Sequence, residues 1–126
     1  MTNLETLKRP ELSSVKIEFT QANSLKLSGT ITSKEPDKSL GAFFRTVHDA
    51  AVSAHLPEVR LDLRGLTFVN SSAIRMFIDW AMWLANEQGH RYRLRVVTSP
   101  QITWQRVSFS TLAHLAGEHL IIERTP

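Results

Sequence analysis

The stretch Val59-Arg60-Leu61-Asp62-Leu63-Arg64-Gly65-Leu66-Thr67-Phe68-Val69-Asn70-Ser71-Ser72-Ala73-Ile74 decides how the rest of the chain is read. Val59, Leu61 and Leu63 alternate with charged residues, so residues 59–64 are predicted to form a strand with one buried face. Gly65 to Asn70 carries that strand into a turn. From Ser71 to Gln88 the apolar period becomes 3.6, which predicts a helix, and Gly89 supplies its stop. Asn70 or Ser71 is a suitable N-cap, because a short side-chain oxygen there can accept one of the helix's unpaired backbone N–H groups.

Working outward, Val15-Lys16-Ile17-Glu18-Phe19-Thr20 and Leu25-Lys26-Leu27-Ser28-Gly29-Thr30-Ile31 both alternate at period two across the turn Gln21-Ala22-Asn23-Ser24. They predict an antiparallel hairpin. A polar loop from Ser33 to Ser39 precedes a helical pattern from Leu40 to Val52, which ends before Pro57. Downstream, Tyr92 to Val97 reads as a strand. Ser99-Pro100 reads as cap and first-turn proline of a helix running through Trp104, Val107 and Leu112 to Ala116-Gly117, and Leu120 to Glu123 closes as a strand. The predicted order is β-β-α-β-α-β-α-β: an α/β domain whose mixed sheet opens with a hairpin and continues through right-handed parallel crossovers with helices packed on it. Residues 1–13 show no period and are expected to form a flexible arm, leaving 14–126 as a single domain.

At 126 residues and 42% hydrophobic content the chain is long enough for one core and too short for an interdomain cleft. It has no cysteine, which excludes disulfides, thiolate metal sites and a cysteine nucleophile and fits a reducing compartment. The N-terminus lacks the apolar core of a signal peptide and no stretch is apolar enough to span a membrane, so a cytoplasmic location is expected. A net charge of +3, with acidic residues interspersed, does not indicate a nucleic-acid partner. Five glycines form no phosphate-binding loop. His48, His55, His90, His114 and His119 have no ligand spacing, so neither a metal nor another cofactor is expected.

Asp62-Leu63-Arg64-Gly65 followed by Thr67-Phe68-Val69-Asn70-Ser71-Ser72 resembles the signature of STAS domains, the family of bacterial anti-sigma-factor antagonists. That family's strand ends in Asp-Leu-Ser-Gly, then continues Val-Thr-Phe-Ile-Asp-Ser-Ser-Gly into a helix. The resemblance in element order extends from about Val15 to Glu123, and Pro100 to Trp104-Gln105 further resembles a cyanobacterial-type subgroup of partner-switching regulators. Asn70 stands where the family usually has Asp, and Ala73 where it has Gly. The resemblance implies that Ser71 is the counterpart of the serine phosphorylated by a partner kinase, with Ser72 as the secondary candidate. Asn70, Ser71 and Ser72 are accordingly expected to meet the partner, together with Arg75 on the following helix.

On the helix that follows, Ile74, Phe77, Ile78, Ala81, Leu84 and Ala85 gather on one face, which is expected to pack on the sheet. Met76, Trp80 and Trp83 form a second stripe, broken by Arg75, Asp79 and Glu87. Such a stripe has the composition of a partner-binding patch, unless a neighbouring helix or the N-terminal arm covers it. Arg91, Arg93 and Arg95 alternate with Tyr92, Leu94 and Val96, a pattern that fits a solvated strand face or pairing with acids better than a nucleic-acid site.

The expected function is therefore non-enzymatic: a partner-switching regulator that binds a serine-kinase, anti-sigma-factor-like partner when unmodified and releases it when Ser71 is phosphorylated, with a cognate phosphatase resetting it. A homodimer is left open. The alternative is a ligand-sensing or scaffold module of the same fold that binds a nucleotide or small molecule. An enzyme using Ser71 or Ser72 as nucleophile is disfavoured, since there is no Gly-x-Ser-x-Gly elbow and no histidine placed as base.

Overall fold

The computed structural model describes residues 4, 7, 10, 14–21, 23–32 and 39–125. Five strands and three helices follow in the expected order: β1 (Val15–Gln21), β2 (Ser24–Ile31), α1 (Leu40–Ser53), β3 (Glu58–Val69), α2 (Ser71–Ala85), β4 (Arg93–Thr98), α3 (Thr103–Leu112) and β5 (Leu120–Arg124). The strands lie side by side in chain order. β1 pairs antiparallel with β2, and every later pair is parallel. The three crossover helices cover one face of the sheet, where Leu25, Leu61 and Val96 lie in register across β2, β3 and β4 and are buried, with Ile122 of β5 beside them packed on the core. The other face is charged. There Lys26, Asp62, Val97 and Glu123 lie across one row of the sheet, and Arg60, Arg95 and Ile121 across the next.

Two glycines are required by the hairpin and its neighbour. Gly29 has φ +102°, and a Cβ on it would collide with the Ser14 carbonyl, which accepts the Thr30 N–H at 2.9 Å. A Cβ on Gly65 would lie 2.9 Å from that of Ser28, its partner on β2. Gly65 thus lets β2 and β3 stay paired through a register shift between Lys26 and Ser28. The expected turn at residues 65–70 is corrected on this point: the strand continues to Val69, held by Leu66, Phe68 and Val69 opposite Gly29, Thr30 and Ile31.

The limits of three elements are also corrected. α2 ends at Ala85 rather than Gln88, because Asn86 closes it and Glu87 turns away to bond His48 and the Gly89 N–H. α3 begins at Thr103 rather than Ser99-Pro100, and stops at Leu112. Ser99 instead makes a turn in which its hydroxyl accepts the Gln101 N–H at 3.3 Å. β4 begins at Arg93 and ends at Thr98, with Tyr92 just outside it but fully buried. Of the expected arm, Leu4 is buried in the core and Leu7 packs against it; apart from these and Pro10, residues 1–13 lie outside the described residues.

Candidate functional site

The junction of β3 and α2 is built by Asn70. Its backbone is extended (φ −84°, ψ 174°), its N–H donates to the Ile31 carbonyl at 3.0 Å, and its side-chain oxygen accepts the Ala73 N–H at 2.9 Å. One residue therefore ties the end of β3 to the end of β2 and caps α2. Asn in place of Asp preserves the acceptor and removes the charge. Ser71 and Ser72, the first two residues of the helix, are exposed, and no hydrogen bond holds either hydroxyl among the described residues. The first turn of α2 contains no acid, and exposed Arg75 follows Ser71 by one helical turn. Ala73 is fully buried, so a methyl at this position fills core space.

Beside this junction lies an open groove of about 640 Å³, whose walls include Phe68, Ile74, Ile102, Trp104 and Val107. Phe68 is 52% exposed and Val107 60% exposed, the two largest exposures among its apolar residues. The groove exists because β4 ends before β3 does. The last β3–β4 pair is Asp62 with Val97, so the rest of β3 has no strand beside it there. α3 takes over that edge through two side chains. Gln105 is fully buried; it accepts the Ser99 N–H at 2.8 Å and donates to the carbonyls of Leu63 at 2.6 Å and Leu66 at 3.0 Å. The Trp104 indole N–H donates to the Leu66 carbonyl at 3.0 Å. The Trp104-Gln105 pair thus works as a clamp on β3, a role that spacing alone did not indicate.

The aromatic stripe is not at this site. Met76 is 3% exposed and Trp80 0%, which corrects the expectation that they lie on a free face. The buried arc of α2 is Ala73, Met76, Phe77, Trp80, Ala81 and Leu84, rotated by about 70° from the expected one at 100° per residue. Helices on both flanks cause the difference. α1 covers one side, with Phe44 4.9 Å from the Trp80 ring and 5.4 Å from Phe77. α3 covers the other, where Trp104 stacks 6.1 Å from Phe77. Ile78 and Met82, one of them expected in the core, are exposed instead. Trp83 is half-buried, with the Arg45 guanidinium 5.0 Å from its ring, and lies twelve residues along the helix from Ser71, roughly 18 Å. The structure therefore places Asn70, Ser71, Ser72 and Arg75 at the start of α2, buries Met76 and Trp80 in the core, and leaves Trp83 half-buried farther along the helix.

The buried end of α2 holds a polar chain that the sequence did not announce. An indole N–H can only donate, so Trp80 donates to the Tyr92 hydroxyl oxygen at 2.6 Å, and the same hydroxyl bonds His48 Nδ1 at 2.8 Å. A carboxylate only accepts, so His48 Nε2 donates to Glu87 at 3.0 Å, and every member of the chain is satisfied when the Tyr92 hydrogen points to Nδ1. Burial raises the Tyr92 hydroxyl far above its ordinary pKa. The Gly89 N–H and then His48 hold Glu87 below the usual carboxylate range.

On the charged face, burial pushes the Asp62 carboxyl up, but the Arg64 side chain and backbone N–H outweigh it and hold the group below its ordinary value. Of the three alternating arginines, Arg95 pairs with Glu58 at 3.0 Å and Glu123 at 3.5 Å, while Arg91 donates to the Glu87 carbonyl. Their charge is partly absorbed within the protein. Among the described residues no group of acids, histidines or cysteines is arranged to hold a metal, and no helix is long and apolar enough to cross a membrane.

The fold is similar to the crystal structure of an anti-sigma factor antagonist from Mycobacterium paratuberculosis, with a TM-score of 0.56 at 16% sequence identity over 86% of this chain and 84% of that one. No protein-family model and no curated protein sequence matches the chain. The likeness shows the fold: a mixed five-stranded α/β domain of STAS-like architecture.

Proposed function

We propose that this chain is a non-enzymatic partner-switching regulator of the anti-sigma-factor-antagonist type, controlled by phosphorylation of Ser71. The observation that carries the reading is the placement of Ser71: exposed, unbonded among the described residues, on the first turn of a helix capped by Asn70. A hydroxyl in that position is open to a kinase active site. A phosphate there would face unpaired backbone N–H groups and Arg75, so the domain tolerates it. A partner surface fitted to the neutral hydroxyl would not. The kinase is then the anti-sigma-factor-like partner itself, a phosphatase restores binding, and Ser72 is the secondary acceptor. The likeness of Trp104-Gln105 to a cyanobacterial-type subgroup belongs to this same reading.

The experiment is to isolate the protein from its native cells with phosphatase inhibitors, map its phosphorylation by mass spectrometry, and compare the proteins retained by the unmodified chain and by Ser71→Asp. Phosphate on Ser71 and a kinase-type partner lost with Ser71→Asp are expected. Phosphate confined to Ser108, Ser110 or Thr111 would remove Ser71 from its role.

A further inference from the structure

We propose that the outer edge of β5 pairs antiparallel with β5 of a second copy of this chain, about a two-fold axis at Ile122, giving a closed dimer with one continuous sheet. The proposal does not rest on the partner-switching reading. β5 is the last strand of the sheet. Its backbone groups alternate sides, and their direction is fixed at two points: the Thr125 N–H donates to the Thr98 carbonyl at 2.8 Å, and the Glu123 carbonyl accepts the Thr98 hydroxyl at 3.4 Å. The N–H and carbonyl groups of Ile121 and Glu123 therefore point to β4, while those of Leu120, Ile122 and Arg124 point away from the sheet. The Leu120 N–H is held by the Gly117 carbonyl. The other groups on this side have no hydrogen-bond partner among the described residues.

The two edges of the sheet differ in how far they resist such pairing. β1 has a bulge between Phe19 and Gln21 and sets Lys16 and Glu18 on the charged face, devices that blunt an edge. β5 has neither bulge nor proline, its register with β4 is unbroken, and half-buried Ile121 and Ile122 stand on its two faces. Its acid is tied back into the sheet, Glu123 lying 3.6 Å from Arg60 and 3.5 Å from Arg95. The strand is also its own complement. Leu120–Arg124 is symmetric about Ile122, so an antiparallel copy centred there lets the two Ile122 residues exchange both backbone bonds, and each Arg124 N–H meets the Leu120 carbonyl of the other copy. The same register sets Ile121 beside Glu123 of the second copy on the charged face, and no like charges come directly opposite. The axis stands perpendicular to the sheet, which keeps the helices of both copies on one face and closes the assembly. A second copy is thus the occupant that the strand's backbone, side chains and charges already match.

The test uses the full chain without modification. Sedimentation velocity over a concentration series should resolve a reversible monomer–dimer equilibrium. Amide exchange in 15N-labelled protein, compared above and below the midpoint of that equilibrium, should slow about tenfold at Ile122 and Arg124 in the dimer. It should stay unchanged at Ile121 and Glu123, whose N–H groups bond β4 in both states. Substitution of Ile121 reads the register, because this residue faces Glu123 of the second copy: Ile121→Lys should tighten the dimer, and Ile121→Glu should weaken it about tenfold. Thermal midpoints measured on the monomer check that both variants fold, and should either fail to do so, the exchange pattern of the parent chain decides. A chain that stays monomeric at its highest soluble concentration, a dimer in which Ile122 and Arg124 exchange as fast as in the monomer, or a dimer weakened by both substitutions would each overturn the proposal. None of these outcomes depends on whether Ser71 is phosphorylated, so the edge and the switch can fail separately.

Discussion

The two ends of α2 carry polar groups in opposite circumstances. At its start, Ser71 and Ser72 are exposed and unbonded among the described residues beside an apolar groove. Toward its end, Trp80, Tyr92, His48 and Glu87 form a continuous hydrogen-bonded chain. A buried polar group is costly unless paired, so the second set is committed to holding α1, α2 and the start of β4 together. The first set is bound to nothing, and is the end of the helix free to be modified or recognised. Stability and the proposed function are thus assigned to opposite ends of one helix, which gives each end a distinct expected mutational signature.

The sharpest way to break that separation is Trp80→Ala. Removing a fully buried indole typically costs about 3–5 kcal/mol, a large part of the ~5–15 kcal/mol that holds a domain of this kind together. Urea denaturation should show a midpoint lowered by most of its range, together with loss of any partner binding. A variant that stays as stable as the parent while losing the partner would return Trp80 to the interface.

Tyr92→Phe isolates the polar chain from the packing. It removes only the hydroxyl, leaving the Trp80 N–H and His48 Nδ1 buried without their partner, at an expected cost of about 1–3 kcal/mol. The fall should be visible in thermal unfolding, and partner affinity measured well below the midpoint should be unchanged. If stability does not change, the chain contributes nothing beyond its aromatic packing.

Asn70→Ala probes the other end and should cost about 1 kcal/mol, because one cap bond to the Ala73 N–H is lost. Asn70→Asp keeps the acceptor and adds a charge at the positive end of the helix, worth about 0.3–1 kcal/mol in the stabilising direction. Equal midpoints for the two variants would mean that the cap bond does not contribute.

How much of this was legible in the sequence follows the same division. Period-two alternation depends only on which residues face the sheet, and it located the first four strands; the fifth was read from the short apolar run Leu120-Ile121-Ile122. The cap at Asn70 was legible because capping is local, needing an oxygen and an N–H three residues apart. The face of α2 was not. Its buried arc is set by Phe44 and His48 on α1 and by Trp104 and Phe109 on α3, neighbours that no periodicity within residues 71–85 records. Gln105 escaped for a related reason: its partners, the carbonyls of Leu63 and Leu66, need it only because β4 ends beside Asp62.

Asp62 gives a smaller effect, read as pH dependence. Its folded pKa is lowered, so the unfolded chain binds more protons as the solution is acidified. The stabilisation is therefore complete above the ordinary carboxylate value of about 4 and is lost as the pH falls through the lower folded value. Because Arg64 is 38% exposed, screening keeps the contribution to about 1 kcal/mol or less. Unfolding measured from pH 6 to pH 2 should show a shallower acid decline for Asp62→Asn than for the parent. An identical decline would assign acid sensitivity to other carboxylates.

The smallest effect on the fold is expected where the largest effect on function is proposed. Phosphorylation of Ser71 adds about 1.5–2 negative charges to the first turn of α2, where the helix dipole favours an anion by about 0.3–1 kcal/mol and Arg75 lies one turn away. The thermal midpoint should therefore hold or rise by no more than a few degrees. Ser71→Ala removes an exposed hydroxyl and should change stability by less than about 0.5 kcal/mol. Partner affinity should nevertheless fall at least 100-fold on phosphorylation, because burying an unmatched dianion costs more than two steps of about 1.4 kcal/mol. Both quantities are to be measured in one buffer on fully phosphorylated protein. A midpoint lowered by many degrees together with lost binding would mean that the switch works by unfolding the helix, and unchanged affinity would mean that the exposed end of α2 is only a cap.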